Sequence, residues 1–376
     1  MKLYTVGGAV RDSLLGITPK DFDYLVVGAT PDEMIADGFT QVGADFPVFL
    51  KNGVEYALAR KDRKIGPGYN GFETVFDTSV TVEEDLSRRD LTINSIAYDA
   101  ETDTYIDPFN GMIDIENKVL RHTSSAFSED PLRVLRVARF AARYSDFTIH
   151  PSTLILLREV VVSNELLHIS KERVWVEFEK AFSNNNPEIF VKVLFECGAL
   201  NQLCPDIGID LSTARAIAQF VTDMRAAHTV AERFAIMVWY LSSDTINSIC
   251  DTNRIPNNVR CFCLSYSMFV KKLFLYQACH TNDRACMITA LLCDMMQFGG
   301  AIVRCIELLK RQDTMYTKVN EYLQDVELAL EIFTSITFAS LPLLLQQKLK
   351  GAAVGAAITT MRGAAIQIAL DNNLTL

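Results

Sequence analysis

The pattern that most constrains this chain lies in its first 28 residues. A short β-type run, Lys2 to Val6, meets Gly7-Gly8. A helical stretch from Val10 to Leu15 then ends at Gly16, and an aromatic and β-branched run, Phe22 to Val27, stops at Gly28. The spacing predicts a strand, a glycine turn, one short helix and a second strand. Glycines at the first junction let backbone N–H groups approach a phosphate, and Arg11 supplies a fork that can grip one. Asp21 and Asp23, two residues apart at the second strand, would project to one face and form a hard oxygen site suited to Mg²⁺. Gly-Gly alone is a plain turn, and Asp-x-Asp alone is common at strand edges. Both within one strand, helix, strand unit point to phosphate chemistry.

Composition bounds the rest. At 376 residues the chain exceeds one ordinary core, so two or three packed units are expected. Met1 to Tyr4 leads directly into the glycine pattern, which does not resemble a signal peptide. The apolar stretches read as interrupted by charge before spanning length, so no membrane role is expected. All nine cysteines fall between Cys197 and Cys305 without paired metal spacing, which reads as free thiols in a reducing cytoplasm and no zinc.

The net charge of −10 argues against a general nucleic-acid coat, but local charge runs the other way. Ser128 is a candidate N-cap, with Glu129 and Asp130 in the first turn and Pro131 tolerated there. The predicted helix runs to about Tyr144. Arg133, Arg136, Arg139 and Arg143 then share one side, an arrangement that repels itself by about 0.2 to 0.5 kcal/mol per pair unless an anion sits among them. Asp130 beside Arg133 offers an acceptor next to a donor. Cytosine and adenine present the complementary order, amino donor then ring acceptor, whereas uracil and guanine present the reverse. The alternative is that Glu129 and Asp130 only complement the helix dipole.

Gly7-Gly8-x-Val10-Arg11-Asp12 with Asp21-x-Asp23, Arg88-Arg89-Asp90-Leu91-Thr92-Ile93-Asn94, Asp107-Pro108-x-Asn110-Gly111-x-x-Asp114, Glu129-Asp130-Pro131-Leu132-Arg133 and Glu172-Arg173-x-x-x-Glu177-x-x-Lys180 occur in order over half the chain. This series resembles the class II tRNA nucleotidyltransferases, the CCA-adding enzymes of bacterial type, and the related bacterial poly(A) polymerases. The resemblance implies an α+β fold. A polymerase-β-like nucleotidyltransferase head with a mixed sheet would span 1–125, a helical neck that recognises the base 126–185, and an all-α body and tail that binds tRNA 186–376. It implies Mg²⁺ at Asp21 and Asp23, with Glu55 as a candidate third carboxylate whose alternative is a cross-strand partner for Arg60. Nucleotide binding would fall to Gly8, Arg11, Arg89, Asp90, Asp130, Arg133, Arg136 and Arg139. Partners would be tRNA, CTP and ATP, and the location cytoplasmic. Glu172 to Lys180 reads as a capped supporting helix.

Two stretches bear on alternatives. The charged, glycine-rich segment from Arg60 to Gly71 lies where this family carries a loop implicated in the change from CTP to ATP; the alternative is an ordinary surface loop. Val42 to Phe49 lacks the basic segment usual in the poly(A) polymerases. Glu232 to Val238 resembles the helix that leads to a His-Asp phosphohydrolase dipeptide in many bacterial relatives, but Trp239-Tyr240 follows, so no such hydrolase activity is expected. A third alternative is a catalytically retired RNA-binding protein.

Overall fold

The computed structural model describes residues 1–42, 48–64, 72–75, 77–209, 211, 213–278, 283–298, 301–312 and 319–373. They form two compact units, Met1–Gly208 and Ile209–Leu376. Most of the segment 60–71, and most of the stretch 42–49 that bears on the polymerase alternative, lie outside the described residues.

The first unit opens with β1 (Lys2–Val6), α1 (Gly8–Leu14) and β2 (Asp23–Val27), close to the predicted bounds. Then come α2 (Pro31–Ala36), β3 (Thr40–Val42), β4 (Val48–Lys51), β5 (Val54–Leu58), β6 (Lys61–Lys64), β7 (Phe72–Val75), α3 (Val82–Ser87), β8 (Ala97–Asp99), β9 (Thr104–Ile106), α4 (Gly111–Glu116) and β10 (Val119–Leu120). Seven strands make one mixed sheet in the order β3-β4-β5-β2-β1-β8-β9, in which β2 and β5 run parallel. Each face of β2 buries its own core. Leu25 packs with Tyr4, Val6 and Leu86 on one side, and Val26 packs with Met34, Phe49 and Leu58 on the other. Strand alternation therefore sends Asp23 to the side of Leu25 and Tyr24 to the side of Val26.

Local sequence sets the helix starts. Thr30 with Glu33 and Thr81 with Glu84 form reciprocal capping boxes at α2 and α3, each worth about 1 kcal/mol. At α4 the Asp107 carboxylate accepts from the N–H groups of Gly111 (2.7 Å) and Met112 (2.8 Å). A Cβ at Gly111 would sit 2.2 Å from the Thr92 carbonyl oxygen, so only glycine fits there. Asp114 in turn accepts from Thr92 Oγ1 at 2.7 Å and from Arg121 Nε at 3.0 Å. The Asp-Pro-x-Asn-Gly-x-x-Asp motif is thus a brace behind Thr92 to Asn94.

The unit continues with α5 (Arg133–Arg143), β11 (Thr148–Ile149), α6 (Pro151–Val162), α7 (Lys171–Phe182), α8 (Pro187–Glu196) and α9 (Ala199–Leu203). The α5 helix starts four residues later than the sequence suggests, with Leu132 rather than Ser128 at its N-cap. Ser124, not Ser128, caps a 3₁₀ turn over Ser125–Glu129. Pro131 disfavours the helical region for the residue before it, and Asp130 is extended, at φ −110° and ψ 102°. Its side chain instead accepts from the Leu132 N–H at 3.1 Å. Val134, Leu135, Val137, Ala138, Ala141 and Ala142 are buried along α5, which packs on α7 and α8. That burial leaves the arginines to the opposite face.

The second unit is helical: α10 (Ala214–Ala226), α11 (Val230–Val238), α12 (Ser243–Thr252), α13 (Asn257–Ala278), α14 (Arg284–Met295), α15 (Ala301–Arg311), α16 (Val319–Ser335), α17 (Leu343–Lys348) and α18 (Ala352–Asn373). Glu232, buried at the start of α11, accepts from the His228 N–H at 2.7 Å and from Arg311 Nη2 at 3.0 Å. Trp239 stacks on Phe274, with centroids 5.8 Å apart. Among the described residues no group of three or more His, Cys, Asp or Glu side chains could hold a metal ion. One expectation is corrected here: residues 352–372 form a helix long and apolar enough to cross a membrane by length and composition. Its Arg362 is engaged, donating to the Ile336 carbonyl at 2.8 Å and lying over the Phe333 ring.

Candidate active site

The cleft of the first unit has a volume of about 550 Å³. Gly7 and Gly8, Asp23, Arg60, the Arg88 to Asp90 turn, Asn94, Glu129, Asp130, Leu132 and the arginine face of α5 with Phe140 line it, joined by Arg173 from α7. Nine arginines face four carboxylates there, so the cleft is basic within an acidic chain. A highly charged anion such as a triphosphate suits that balance.

Of the residues singled out from sequence, Gly8, Arg11, Asp23, Arg89, Asp90, Asp130, Arg133, Arg136 and Arg139 share this lining. Asp21 and Glu55 do not. Asp21 sits in a bend just ahead of β2, because the strand begins at Asp23, so the same-face argument from an extended strand fails for it. Both aspartates are exposed. Glu55 is the register partner of Asp23 on β5, which makes Asp23 and Leu50, not Arg60, its cross-strand neighbours.

Gly7 has φ +71°, and a side chain there would put its Cβ 3.0 Å from Arg89 Nη1 and 3.8 Å from Asp23 Oδ2. The glycine turn, Arg89 and Asp23 therefore converge on one spot. Arg89 is held from behind by the buried Asp85 carboxylate. Asp85 Oδ2 accepts from Arg89 Nη2 at 3.2 Å, and Oδ1 accepts from Arg88 Nε at 3.0 Å and from the Arg60 N–H at 3.4 Å. Burial works against this charge, but Arg88 and Arg89 outweigh it and hold the carboxyl below its ordinary value. Substituting Asp85→Asn removes the anion from two largely buried guanidinium groups. We expect a loss of about 3 kcal/mol in urea unfolding and weaker triphosphate binding.

A second chain of bonds crosses the cleft floor. Asp90 Oδ2 accepts from Arg136 Nε at 2.7 Å, and Oδ1 accepts from Asn94 Nδ2 at 2.9 Å. Asn94 Oδ1 accepts from Arg11 Nη1 at 2.5 Å. Arg11 donates from Nη2 to Asp12 at 2.8 Å, and Asp12 also accepts from Arg143 and from the Tyr144 hydroxyl. Burial would raise the Asp90 carboxyl, yet Arg136 and Asn94 hold it down at about 2. A depressed carboxyl stabilises the fold above its unfolded value, near pH 4, and that contribution disappears as pH falls through about 2. The Asp90→Asn variant should therefore be less stable than the parent by roughly 2 kcal/mol at pH 7. In thermal melts the gap should close between pH 4 and pH 2.

The four arginines of α5 share one side as expected, but they do not rely on a bound anion to relieve their repulsion. Arg136 pairs with Asp90, Arg139 with Glu177 at 2.5 Å, and Arg143 with Asp12 at 3.0 Å. Arg133 donates to the carbonyls of Ala126 and Arg88. Asp130 keeps one oxygen on Leu132 N–H and the other 3.1 Å from Arg173 Nη2. The Arg133 backbone N–H donates to the Asp130 carbonyl at 3.0 Å, while their side chains share the cleft with other partners, and α7 contributes a cleft residue as well as the Glu177 support. Sequence alone assigns no role to Asp12, Asp85 or Asn94, and places Arg173 only in a supporting helix, whereas Arg173 lines the cleft. Asp12, Asn94 and Arg173 did stand inside the quoted motifs, which was the available signal.

A family model described as the poly A polymerase head domain matches residues 3–121. Another, described as a probable RNA and SrmB-binding site of polymerase A, matches residues 146–221. Over 210 residues the chain is 57% identical to proteins called Multifunctional CCA protein from two Actinobacillus pleuropneumoniae strains, serotype 5b (L20) and serotype 7 (AP76). The matched region is 55% of this chain and 51% of each relative, so the chain spans about half the length of the curated relatives it matches. A solved CCA-adding enzyme with ATP is similar over 97% of this chain and 85% of its own, with a TM-score of 0.69 and 19% identity. A tRNA-processing enzyme with CTP is similar over 97% of both chains, with a TM-score of 0.63 and 20% identity. At such identities the likeness is one of fold. The ordered motifs, the mixed-sheet head with its helical continuation and the matches over residues 3–221 agree, and through them the chain belongs to the class II nucleotidyltransferase family of CCA-adding enzymes and bacterial poly(A) polymerases.

Proposed function

We propose that this protein adds and repairs the 3′-terminal CCA of tRNA with CTP and ATP, without a nucleic-acid template and with release of pyrophosphate. The observation that carries the reading is the convergence of the Gly7 turn, Asp23 and Arg89 at the edge of an arginine-lined cleft. The 57% identity to Multifunctional CCA proteins over 210 residues supports it.

In this reading the head comprises 1–125, the base-recognising neck 126–185 and the tRNA-binding body 186–376, in a cytoplasmic enzyme. Asp21 and Asp23 would hold Mg²⁺. Two exposed carboxylates with no nitrogen or sulfur ligand fit a hard dication that keeps waters and takes phosphate oxygens for its other positions. When bound, that ion lowers the pKa of the primer hydroxyl and neutralises triphosphate charge. The protein's own groups do the rest. Gly7 and Gly8 admit a phosphate close to the backbone, and Arg11, Arg89, Arg136 and Arg139 fix the triphosphate. The primer 3′-oxygen bonds to the α-phosphorus as the bond to the β-phosphate oxygen breaks.

Base choice falls to Asp130 and Arg133. A carboxylate accepts and a guanidinium donates, so cytosine and adenine satisfy both while uracil and guanine leave both unpaired. Two of the five N–H donors of Arg133 serve the carbonyls of Ala126 and Arg88, and others suffice for a base. The test is extension of a tRNA lacking its CCA with each triphosphate alone. Incorporation from CTP, with none from UTP or GTP, is expected. Incorporation from all four would overturn the assignment of Asp130 and Arg133.

A further inference from the structure

Phe22 stands between the two candidate metal carboxylates with 46% of its surface exposed. Its ring is the outer end of an ordered row. Phe22 lies on Tyr24 with centroids 6.5 Å apart and planes 20° apart. Tyr24 lies on Tyr56 at 5.1 Å and 19°, and Phe39 closes the inner end edge-on to Tyr56 at 4.9 Å. The inner end is anchored, because Tyr56 packs on the core built around Met34 and Phe49. The outermost ring is therefore held flat against a fixed support with its other face toward solvent.

The position matters because of the reaction geometry, and the inference rests on the nucleotidyl-transfer reading above. In a displacement at phosphorus the attacking and leaving oxygens lie roughly in line, on opposite sides of the transferred group. The arginines that would receive the pyrophosphate lie in the cleft on the Leu25 side of β2, with Asp23. Phe22 shares the opposite side with Tyr24. A primer 3′-hydroxyl that attacks away from the arginines comes from the side of Phe22.

We propose that Phe22 is a stacking platform for the terminal base of the RNA 3′ end that is being extended. Stacking suits this task chemically. The terminal base changes after every addition, so a hydrogen-bonding reader would fit one step and fail the next. An aromatic face accepts every base, since each presents a π surface.

The experiment uses the full chain and an RNA hairpin that mimics an acceptor stem, with 2-aminopurine as its unpaired 3′-terminal base. Binding to the parent protein should quench the fluorescence, and Phe22→Trp should retain the quench. Phe22→Ala and Phe22→Leu should lose it and raise the KM for RNA on the order of tenfold, leaving the KM for CTP unchanged. The leucine variant keeps an apolar side chain, so a folding defect in the alanine variant does not decide the result. Unchanged quenching and unchanged RNA KM in Phe22→Leu would overturn the proposal. Failure of the parent to extend any RNA would instead remove the nucleotidyl-transfer reading, while normal extension with indifferent Phe22 variants would remove the stacking role alone.

Discussion

Replacing Asp23 by alanine is expected to lower nucleotide addition about 10³-fold, because a metal-assisted displacement loses several kcal/mol of charge stabilisation when its ligand goes. Asp21→Ala should act in the same direction. Asp23 is an exposed first residue of β2, so the substitution should change stability by no more than about 0.5 kcal/mol and leave RNA binding intact. Single-turnover extension beside a filter-binding assay separates the two quantities. Glu55 provides an internal comparison: it is level with Asp23 in the sheet but outside the cleft lining, and Glu55→Gln should have a much smaller effect. Addition at near-parental rate by the Asp23 variant would remove the metal assignment.

The second large effect is on choice of nucleotide. Asp130→Ala would confuse two roles, since this side chain also accepts from the Leu132 N–H ahead of α5. Asp130→Asn keeps that bond while placing an N–H donor where the carboxylate accepted. Cytosine and adenine then meet a donor opposite their own amino group. One unpaired group at about 1 to 3 kcal/mol predicts a fall of roughly 10- to 100-fold in the preference for CTP over UTP. Competition assays with mixed triphosphates measure that ratio directly. A preference unchanged by the substitution would show that the base is read elsewhere in the cleft, with Arg173 the nearest candidate because it already touches Asp130.

Much of this is legible in the sequence. The bounds of β1 match the run read from sequence, those of β2 differ by one residue at its start, and the spacing of the α5 arginines does place them on one cleft. What escaped the sequence has common physical causes. Asp130 follows a 3₁₀ turn because Pro131 restricts it, a backbone effect that outweighs the favourable first-turn charges. The carboxylates that neutralise the arginines come from far along the chain: Asp90 is 46 residues from Arg136, and Asp12 is 131 from Arg143. Pairing at such separations leaves no periodic signal. Asp85 gave none either, since its neighbours Glu83 and Glu84 make it resemble ordinary helix-start charge, yet it is wholly buried between two guanidinium groups. In the second unit the helices are apolar on several sides, so periodicity identified their class and little about their partners. The apolar length of α18 was missed for the same reason: Arg362 interrupts the pattern but is itself held by Ile336 and Phe333.

The poly(A) polymerase alternative shares the head and is the sharpest competitor. It is not favoured by the 57% identity to Multifunctional CCA proteins, and it makes an opposite statement about when synthesis stops. The most direct measurement is the sequence of the 3′ ends made when a tRNA lacking its CCA is held with CTP, ATP and Mg²⁺ well beyond completion. The account predicts C, C and A in that order and then a stop. Long runs of A, or growth that continues past the third nucleotide, would contradict it.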